Sequence, residues 1–375
     1  MLSISKVDTS SKSQVKDFIQ FHYQLYSGCK QWVPPFRSDI ALMLNRSKHP
    51  FYEHSDADFF VARRKNEIVG RIGVMEVKPF NQYHDVRKAQ FYLFDAVDDQ
   101  QVAECLFDAA FDWSRKRGLD TMIGPKGFSL FDGYGIQIEG FEHRQMMTMM
   151  NYNFPYYPEL MEKMGFEKEV DFVSCYLPGD KFNLPEKVVE IARRVRERGK
   201  FRVLNFTSKR ALLKYAKKIG DAYNKTFVNN WEYYPQTERE INQVIDQVIL
   251  VANPRLIKLI EYNDEVVGFL FGFPDVSAAL QRHDGKINPI SVADILLEMK
   301  RSRFVSLNGA GVLPEYHGRG GNALMYDEMV KTIRDFHYDN AELTQVAETA
   351  KQMRQDLITA GGSAYKNHRV FNHAV

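Results

Sequence analysis

The chain has 375 residues, of which 44% are hydrophobic, and its formal net charge at pH 7 is only +2. A chain of this length is expected to form about two domains, each with a hydrophobic core. The small net charge gives no support for a nucleic-acid-binding protein. Cys29, Cys105 and Cys175 are odd in number and far apart, which is typical of reduced thiols in a cytoplasmic protein.

Signals for secretion, membrane insertion or metal binding are weak in this sequence. Residues 1–6 lack the apolar core of a signal peptide, and the longest apolar stretch, residues 266–273, is far too short to span a bilayer. His49 and His54 share one loop, but no further ligand type lies near them, so we expect no metal site there. We therefore expect a cytoplasmic protein without a transmembrane segment or a bound metal.

The first half of the chain alternates helical and strand patterns. Three segments have the apolar spacing of helices: residues 13–26, 39–44 and 98–117. Four segments have the composition of strands: residues 58–63, 68–75, 91–95 and 121–125. The first two strands flank a short polar turn, which predicts a hairpin.

A long segment without regular periodicity follows. Residues 124–141 are rich in glycine and aromatic side chains, and long ordered loops of this kind are often functional. Residues 146–157 continue with four methionines and then with tyrosine, asparagine and proline. Methionines suit either a packed core or a pliable pocket for an acyl group or a substrate, and both interpretations stay open.

The second half repeats the order of the first after a linker at residues 178–185. Helical spacing recurs in four segments: residues 185–200, 208–224, 237–251 and 292–300. Residues 255–261 and 266–273 form a second predicted hairpin, whose turn resembles that of the first. This match indicates an internal repeat that covers nearly the whole chain. Residues 274–290 are predicted to be a polar loop.

The most basic segment, residues 193–202, contains Glu197 and follows Glu186 and Glu190. Mixed charges of this kind are typical of a solvated helix face. A phosphate-binding or membrane-surface role is the alternative.

A glycine-rich segment joins a predicted strand, residues 304–312, to a predicted helix. Four apolar residues give that helix its spacing: Met325, Met329, Ile333 and Phe336. The first turn of a helix has unpaired N–H groups, and glycines remove the side chains that would keep an anion away. The segment therefore suits a phosphate group held by the backbone, with Arg319 as a charged donor.

Three interpretations of this segment are open: a turn without a ligand, a dinucleotide-binding fold, or a loop for the pyrophosphate of coenzyme A. Gly318, Gly320 and Ala323 fit the dinucleotide pattern G-x-G-x-x-G/A. Against that fold, Pro314 and further residues separate the strand from the glycines. Too few residues follow Leu324 to complete a doubly wound sheet.

Residues 312–324, which read Val-Leu-Pro-Glu-Tyr-His-Gly-Arg-Gly-Gly-Asn-Ala-Leu, resemble the acyl-CoA-binding motif of the GNAT acyltransferase superfamily. That motif runs Val-x-Pro, then Arg/Gln-x-x-Gly-x-Gly/Ala, and then a helix. His317 takes the Arg/Gln place and Gly320 the central glycine. Asn322 takes the place of the final small residue, where it can cap the helix. His317 and Asn322 thus depart from the consensus.

The resemblance implies a mixed α/β (α+β) fold with two tandem GNAT-like domains. We expect an N-terminal domain over residues 1–180 with a degenerate CoA site, because residues 95–99 are acidic, and a C-terminal domain over residues 200–375 that binds acyl-CoA. The resemblance assigns the cofactor contacts to one loop: Val312, His317, Gly318, Arg319, Gly320, Gly321, Asn322 and Ala323. A bulky residue at Gly320 is expected to abolish CoA binding and to leave folding nearly intact.

GNAT enzymes transfer an acyl group from CoA to an amine, and the resemblance extends this chemistry to the second half. Backbone N–H groups of residues 308–312 would polarise the thioester carbonyl. A tyrosine on the last helix often protonates the departing thiolate, but Leu357 stands at that place and Tyr365 is the nearest substitute. Glu348 is the candidate general base, with Glu315 as the alternative.

The resemblance thus implies a CoA-dependent N-acyltransferase with a small-molecule amine as acceptor. Six residues of the first half are expected to form part of the acceptor pocket: Asp132, Tyr134, Asn151, Tyr152, Tyr156 and Tyr157. Two alternatives stay open, namely a long-chain fatty acyl transferase acting on a lipid or amino-acid amine, and an acyl-CoA-binding module without catalysis. The acceptor, the acyl length and the oligomeric state do not follow from the sequence.

Overall fold

A computed structural model describes residues 1–129, 132–147, 150–179, 184–228, 230–359 and 361–375. Thr148 and Met149 of the methionine-rich segment, and residues 180–183 of the predicted linker, lie outside the described residues. The chain forms two compact units. Unit 1 contains Met1–Phe172, Ser277–Val292 and Lys366–Val375, and unit 2 contains Val173–Val276 and Ala293–Tyr365.

The first half of the chain contributes the strands β1 (Leu2–Lys6), β2 (Asp56–Arg64), β3 (Glu67–Glu76), β4 (Lys88–Ala96), β5 (Thr121–Gly124), β6 (Ile136–Glu139) and β7 (Glu167–Pro178). Its helices are α1 (Lys12–Leu25), α2 (Arg37–Met43), α3 (Lys78–His84), α4 (Gln100–Arg115) and α5 (Tyr157–Lys163). The predicted helices and strands are present at the expected places.

The second half contributes the strands β8 (Phe201–Asn205), β9 (Ile257–Tyr262), β10 (Glu265–Pro274), β11 (Phe304–Val312), β12 (Asn340–Ala347) and β13 (Ser363–Ala374). Its helices are α6 (Glu186–Arg198), α7 (Lys209–Leu213), α8 (Ala216–Thr226), α9 (Glu238–Val248), α10 (Ser277–His283), α11 (Pro289–Arg301), α12 (Gly321–Asp335) and α13 (Lys351–Thr359). None of the helices in the described ranges combines the length and hydrophobicity needed to cross a bilayer.

The sheet of unit 1 has the strand order β1-β2-β3-β4-β5, followed by the last part of β13. Its strand pairs are antiparallel except β4–β5, which is parallel. The apolar face of α4 packs on this sheet, where Val102, Leu106 and Phe107 join Phe91 in one core. Burying such a face is what holds an amphipathic helix in place.

The sheet of unit 2 repeats this plan with the order β8-β9-β10-β11-β12, followed by the second half of β7. Again only one pair of consecutive strands, β11–β12, is parallel, and α12 packs on the sheet through Leu324, Met325 and Met329. The C-terminal strand completes unit 1, and β7 of the first half completes unit 2. Each unit therefore finishes its sheet with a strand from the other half of the chain.

Two predicted segments differ from the structure. The predicted polar loop, residues 274–290, contains the helix α10, in which Ala279 and Leu280 are buried. The side chain of Gln281 donates a hydrogen bond to the carbonyl of Trp32 at 2.8 Å. Because α10 is buried by residues far away in the sequence, its own sequence lacks the apolar periodicity that would have predicted a helix. The single helix predicted for residues 208–224 is instead divided into α7 and α8.

Candidate functional site

The centre of unit 2 contains a gap between two parallel strands. β11 and β12 are paired from Phe304–Asn340 to Leu307–Leu343, and both strands continue beyond that point. Directly after Leu307, β11 has a bulge against β10, with Gly309 at φ +85°. A bulge bends a strand and re-aims its backbone. The edge of β11 beyond Leu307 therefore presents N–H and C=O groups to an extended ligand.

The glycine loop begins where β11 ends. A 3₁₀ turn, Pro314–Tyr316, leads to Gly318 at φ +71° and to Gly320 at φ +85°, which is the N-cap of α12. Among the residues that the structure describes, no side chain caps this helix, and its first turn contains no acidic residue. The N–H groups of that turn are the ones that an anion pairs with. Asn322 lies inside the helix and is exposed, so the prediction that it caps the helix is wrong.

The glycines of this loop have different roles. Added to Gly320, a Cβ atom would lie 2.6 Å from Val195 Cγ2 and 2.9 Å from Ile191 Cγ2, both on α6. Added to Gly318, it would meet nothing within 4 Å. Gly320 thus packs closely against α6, and we now expect a bulky residue at this position to destabilise the fold, contrary to the expectation from the sequence. Gly318 is the position where a side chain tests the loop alone.

The charged side chains of the loop are also distinct. His317 Nε2 donates a hydrogen bond of 2.7 Å to the carbonyl of Val312, so this imidazole ties the loop to the end of β11. Arg319 is exposed, with its guanidinium 5.1 Å from the ring centre of Tyr316. Ala323 is buried beside the loop. Arg319 is therefore the cation of the predicted set that is best placed to meet a phosphate in solution.

One catalytic candidate has a partner that the sequence analysis did not select. The hydroxyl of Tyr365 donates a hydrogen bond to the carboxylate of Glu342, which is fully buried on β12. Glu342 lies opposite Ser306, one residue before the β11–β12 pairing ends. Glu348 lies in the turn after β12, and Leu357 packs against Val173 and Cys175. The signal that could have pointed to Glu342 is a single acidic residue between the apolar residues Ala341 and Leu343 of a predicted strand.

Unit 1 has the same strand geometry, but tyrosine side chains occupy the place beyond the end of its parallel pair. The parallel pairing of β4 and β5 ends at Gln90–Ile123, and β4 then has a bulge with Leu93 at φ +51°. Beyond it, the backbone N–H of Ala96 donates to the hydroxyl of Tyr157 at 2.9 Å, and the hydroxyl of Tyr156 donates to the carbonyl of Ala96 at 2.7 Å. Tyr157 is only 1% exposed, so these two predicted acceptor residues contact the protein itself.

A buried charge cluster lies beside this strand. The carboxylate of Asp95 accepts hydrogen bonds from Arg71 Nε at 2.6 Å and from His22 Nδ1 at 2.9 Å. Burial alone would raise the pKa of Asp95, but the charges of His22 and Arg71 and their hydrogen bonds hold it well below its usual range. At the start of α4, Asp99 caps the helix by accepting from the N–H of Gln101 at 3.0 Å. Carboxylates therefore stand where the matching region of unit 2 has glycines.

The remaining acceptor candidates fall into two groups. Asp132 Oδ2 accepts from the N–H of Ser129 at 2.8 Å, and burial raises the pKa of Asp132 to about 6. Burial likewise raises the pKa of Asp39 to about 6, with a contribution from the charge of Asp132. Tyr134 bridges to Met150 and stacks on Phe172 at 5.2 Å.

Asn151 and Tyr152 follow in the same segment. The side chain of Asn151 donates to the carbonyl of Gly135 at 3.1 Å, and the backbone carbonyl of Asn151 accepts from His368 Nε2 at 2.9 Å. Tyr152 packs edge-on to Tyr26 at 6.0 Å. The structure thus brings Tyr134 close to Asn151, because Tyr134 pairs with the neighbouring residue Met150. Tyr152, Tyr156 and Tyr157 belong to a separate aromatic cluster.

Comparison with solved structures identifies the architecture. A tandem GNAT protein from the clavulanic acid biosynthesis pathway matches 100% of this chain and 98% of its own, with a TM-score of 0.57 and 11% sequence identity. The chain has a tandem GNAT fold. The prediction of this fold from the glycine loop and the repeated hairpins is therefore confirmed.

Two relatives match the chain over nearly its full length. Protein YghO of Escherichia coli (strain K12) is 25% identical in an alignment 379 residues long, which covers 97% of this chain and 94% of the relative. A bacterial ceramide synthase of Caulobacter vibrioides (strain NA1000 / CB15N) is 26% identical in an alignment 381 residues long, which covers 99% of this chain and 98% of the relative. No protein-family model matches the chain. With the GNAT fold, these relatives support the prediction that the protein is an N-acyltransferase.

Proposed function

We propose that the protein is a CoA-dependent N-acyltransferase that moves an acyl group from acyl-CoA to the amine of a small-molecule acceptor. The observation that carries this proposal is the arrangement of unit 2. There a bulged strand leaves its parallel neighbour at Leu307 and runs into a helix start that glycine, and no side chain, caps. An extended ligand that ends in a pyrophosphate has the shape and charge for both features.

In the proposed donor site, the pyrophosphate binds to the N–H groups at the start of α12, and Arg319 adds a positive charge. The pantetheine lies along residues 308–312 of β11 and pairs with its backbone. An N–H group of this edge then donates to the thioester carbonyl and stabilises the oxyanion that forms when the amine attacks. His317 and Val312 hold the loop against the strand through their hydrogen bond.

The acceptor residues remain a proposal, and Asp132 has the most suitable chemistry among them. A carboxylate whose pKa burial raises to about 6 is poorly solvated, and Asp39 adds a second one. An ammonium group would compensate both charges. Asn151 and Tyr134 belong to the same segment and supply polar contacts, whereas Tyr156 and Tyr157 support the backbone of β4.

For the chemical step, we assign the proton transfers to Tyr365 and Glu342. The amine nitrogen bonds to the thioester carbon, the carbon–sulfur bond breaks, and the thiolate takes the proton of the Tyr365 hydroxyl. Glu342 accepts the proton that the nitrogen loses and returns it to Tyr365 through their hydrogen bond. Glu348, which the sequence analysis selected as the general base, stays a candidate for this role beside Glu342.

A second candidate function is a long-chain acyl transfer to a lipid amine. It is favoured by one observation, the 26% identity to a protein named bacterial ceramide synthase over nearly the full length of both chains. The two candidates share the donor site and differ in the length of the acyl chain and in the acceptor.

Thermal unfolding with a series of ligands tests the proposal. We would compare CoA, acetyl-CoA, palmitoyl-CoA and NAD, because a ligand at ~100 times its dissociation constant stabilises the folded state by about 2.7 kcal/mol. A shift with CoA thioesters and none with NAD is expected. Palmitoyl-CoA giving the larger shift would favour the lipid candidate.

The release of free CoA with a panel of amines then separates an enzyme from a binding module. Acyl-CoA binding without thiol release for any amine would indicate a module without catalysis. No shift with any CoA compound would overturn the assignment of the loop.

A further inference from the structure

Helix α11 carries apolar side chains on the face that it presents to solvent. Leu296 and Leu297 are 45% and 46% exposed, and Ile290 in its first turn is 73% exposed. Ser291 and Ile295 on the opposite side are buried. Ile287, just before the helix, is 49% exposed. Apolar residues therefore occupy both the buried face and the solvent face of α11.

Exposed apolar side chains are more frequent around α11 than elsewhere in the chain. Ten large hydrophobic side chains are exposed by at least about two fifths in the described part of the chain, and four of them lie between residues 287 and 297. Single exposed apolar residues are normal on a protein surface. Several exposed apolar side chains on one helix, with charged neighbours, are typical of a surface that binds a membrane or another protein.

The charges around this group select the kind of partner. Lys286 precedes it, Lys300 and Arg301 follow it, and all three are exposed. No carboxylate within the described ranges forms an ion pair with any of the three. The acidic residues of the helix, Asp294 and Glu298, are part-buried. The solvent face thus offers apolar side chains framed by cations.

The basic helix α6 shows that charge alone does not single out this face. Arg193 pairs with Glu190 and Glu197, and Arg196 pairs with Asp327. These arginines form a solvated, internally neutralised surface. Lys300 and Arg301 of α11 are available to an external anion, whereas Arg193 and Arg196 of α6 are already compensated.

We propose that the face of Ile287, Ile290, Leu296 and Leu297, with Lys286, Lys300 and Arg301 at its ends, docks on an anionic membrane surface. The apolar side chains would enter the boundary between headgroups and acyl chains, and the cations would meet lipid phosphates. A second copy of the chain fits less well, because it would place the same cations opposite one another. The inference does not depend on acyl transfer, since binding is measured without substrate.

Flotation of the protein with lipid vesicles tests this proposal. Vesicles of phosphatidylcholine with about 30% phosphatidylglycerol are compared with pure phosphatidylcholine, at low and at high salt. We expect binding to the anionic vesicles that weakens with salt, because a Debye length of about 10 Å at 0.1 M screens the cations. Neutral vesicles should retain little protein.

Three surface variants locate the contact. The double substitution Leu296→Ser/Leu297→Ser should lower the partition coefficient by about tenfold or more, because both side chains lose their apolar burial. Lys300→Gln/Arg301→Gln should lower it about fivefold for each charge on anionic vesicles only. Leu213→Ser is the matched control, because Leu213 on α7 is 44% exposed, and it should leave binding unchanged.

Three results would overturn the proposal. The first is wild-type protein that does not float with anionic vesicles at low salt. The second is an equal loss of binding for Leu213→Ser and for the leucine pair, which would mean non-specific adsorption. The third is a dimer in light scattering that Leu296→Ser/Leu297→Ser converts to a monomer, which would assign the face to a second copy.

Discussion

The starts of α4 in unit 1 and of α12 in unit 2 follow the same strand geometry and have opposite chemistry. In both units a parallel pair ends, a bulge with a left-handed residue follows, and the chain enters a helix. Unit 1 then places the carboxylates of Asp95 and Asp99 near its helix, whereas unit 2 places Gly318 and Gly320. A few side chains near the start of one helix thus determine whether the same backbone arrangement can bind an anion.

The sharpest test of the closed site in unit 1 is Arg71→Met. Arg71 is 1% exposed and donates to Asp95, so its loss leaves a buried carboxylate without its strongest partner. We expect unfolding of the protein to become easier by about 3–5 kcal/mol, measured by urea denaturation. Arg63→Met, at an arginine that contacts Asp17 at 3.7 Å on the surface, is the control and should cost well under 1 kcal/mol. Equal effects of the two would argue against a structural network.

On the open site of unit 2, Tyr365→Phe tests the chemistry. The variant keeps the ring and removes the proton donor to Glu342, so we expect kcat to fall by about 100-fold, or 2.7 kcal/mol, with KM for acyl-CoA unchanged. Tyr176→Phe is the control, because this neighbouring ring lies 5.9 Å from that of Tyr365 and its hydroxyl bonds to Asn340 instead. A normal kcat in Tyr365→Phe would remove both residues from the mechanism.

Gly320→Val tests the packing role of the glycine loop. The new Cβ atom would press on Val195 and Ile191, and the left-handed backbone adds strain. We expect a loss of about 2 kcal/mol of stability, seen in the same urea titration. A stable variant that no longer binds CoA would restore the simpler view of Gly320 as a phosphate contact.

Gly318→Asp tests the anion site without disturbing the fold. Asparagine and aspartate tolerate a left-handed backbone, and the position faces open space. We expect at least about a tenfold weaker Kd for CoA, or roughly 1.4 kcal/mol, because a carboxylate repels the pyrophosphate. Gly318→Asn has the same shape without the charge and should bind nearly normally. Calorimetric titration measures both, and equal affinities would remove the pyrophosphate from this loop.

Asp132→Asn addresses the candidate acceptor group in unit 1. Its pKa is raised to about 6 in the folded state, so protonation of Asp132 contributes to stability fully below about pH 4, and this contribution is lost as the pH rises through 6. The free energy of unfolding of the variant should therefore exceed that of the wild type by about 1 kcal/mol at pH 7.5 and equal it at pH 4. Asp39→Asn should behave similarly, and a pH-independent difference would mean that the carboxylate is well solvated.

Local signals predicted the parts of the fold that depend on neighbouring residues. The strand predicted for residues 304–312 is β11 residue for residue, and the amphipathic spacing after Asp98 gave α4. The helix α10 was missed because its burial rests on Trp32, far away in the sequence. Glu342 was missed for the same reason, since its partner Tyr365 comes from another strand. Pairs of residues such as these are brought together by the order of the strands in the sheet. The periodicity of the sequence contains no information about that order.

The sheet of unit 1 can be completed only late in synthesis, because its last strand, β13, comes after unit 2 in the chain. Phe371 pairs with Gly124 and Ala374 with Thr121, so β5 receives this partner only after the ribosome has made all of unit 2. Until then the nascent first unit has an open sheet edge, and such an edge invites pairing with the wrong strand. A premature stop in the last ten residues would therefore leave the first unit unfinished, although most of it was translated long before.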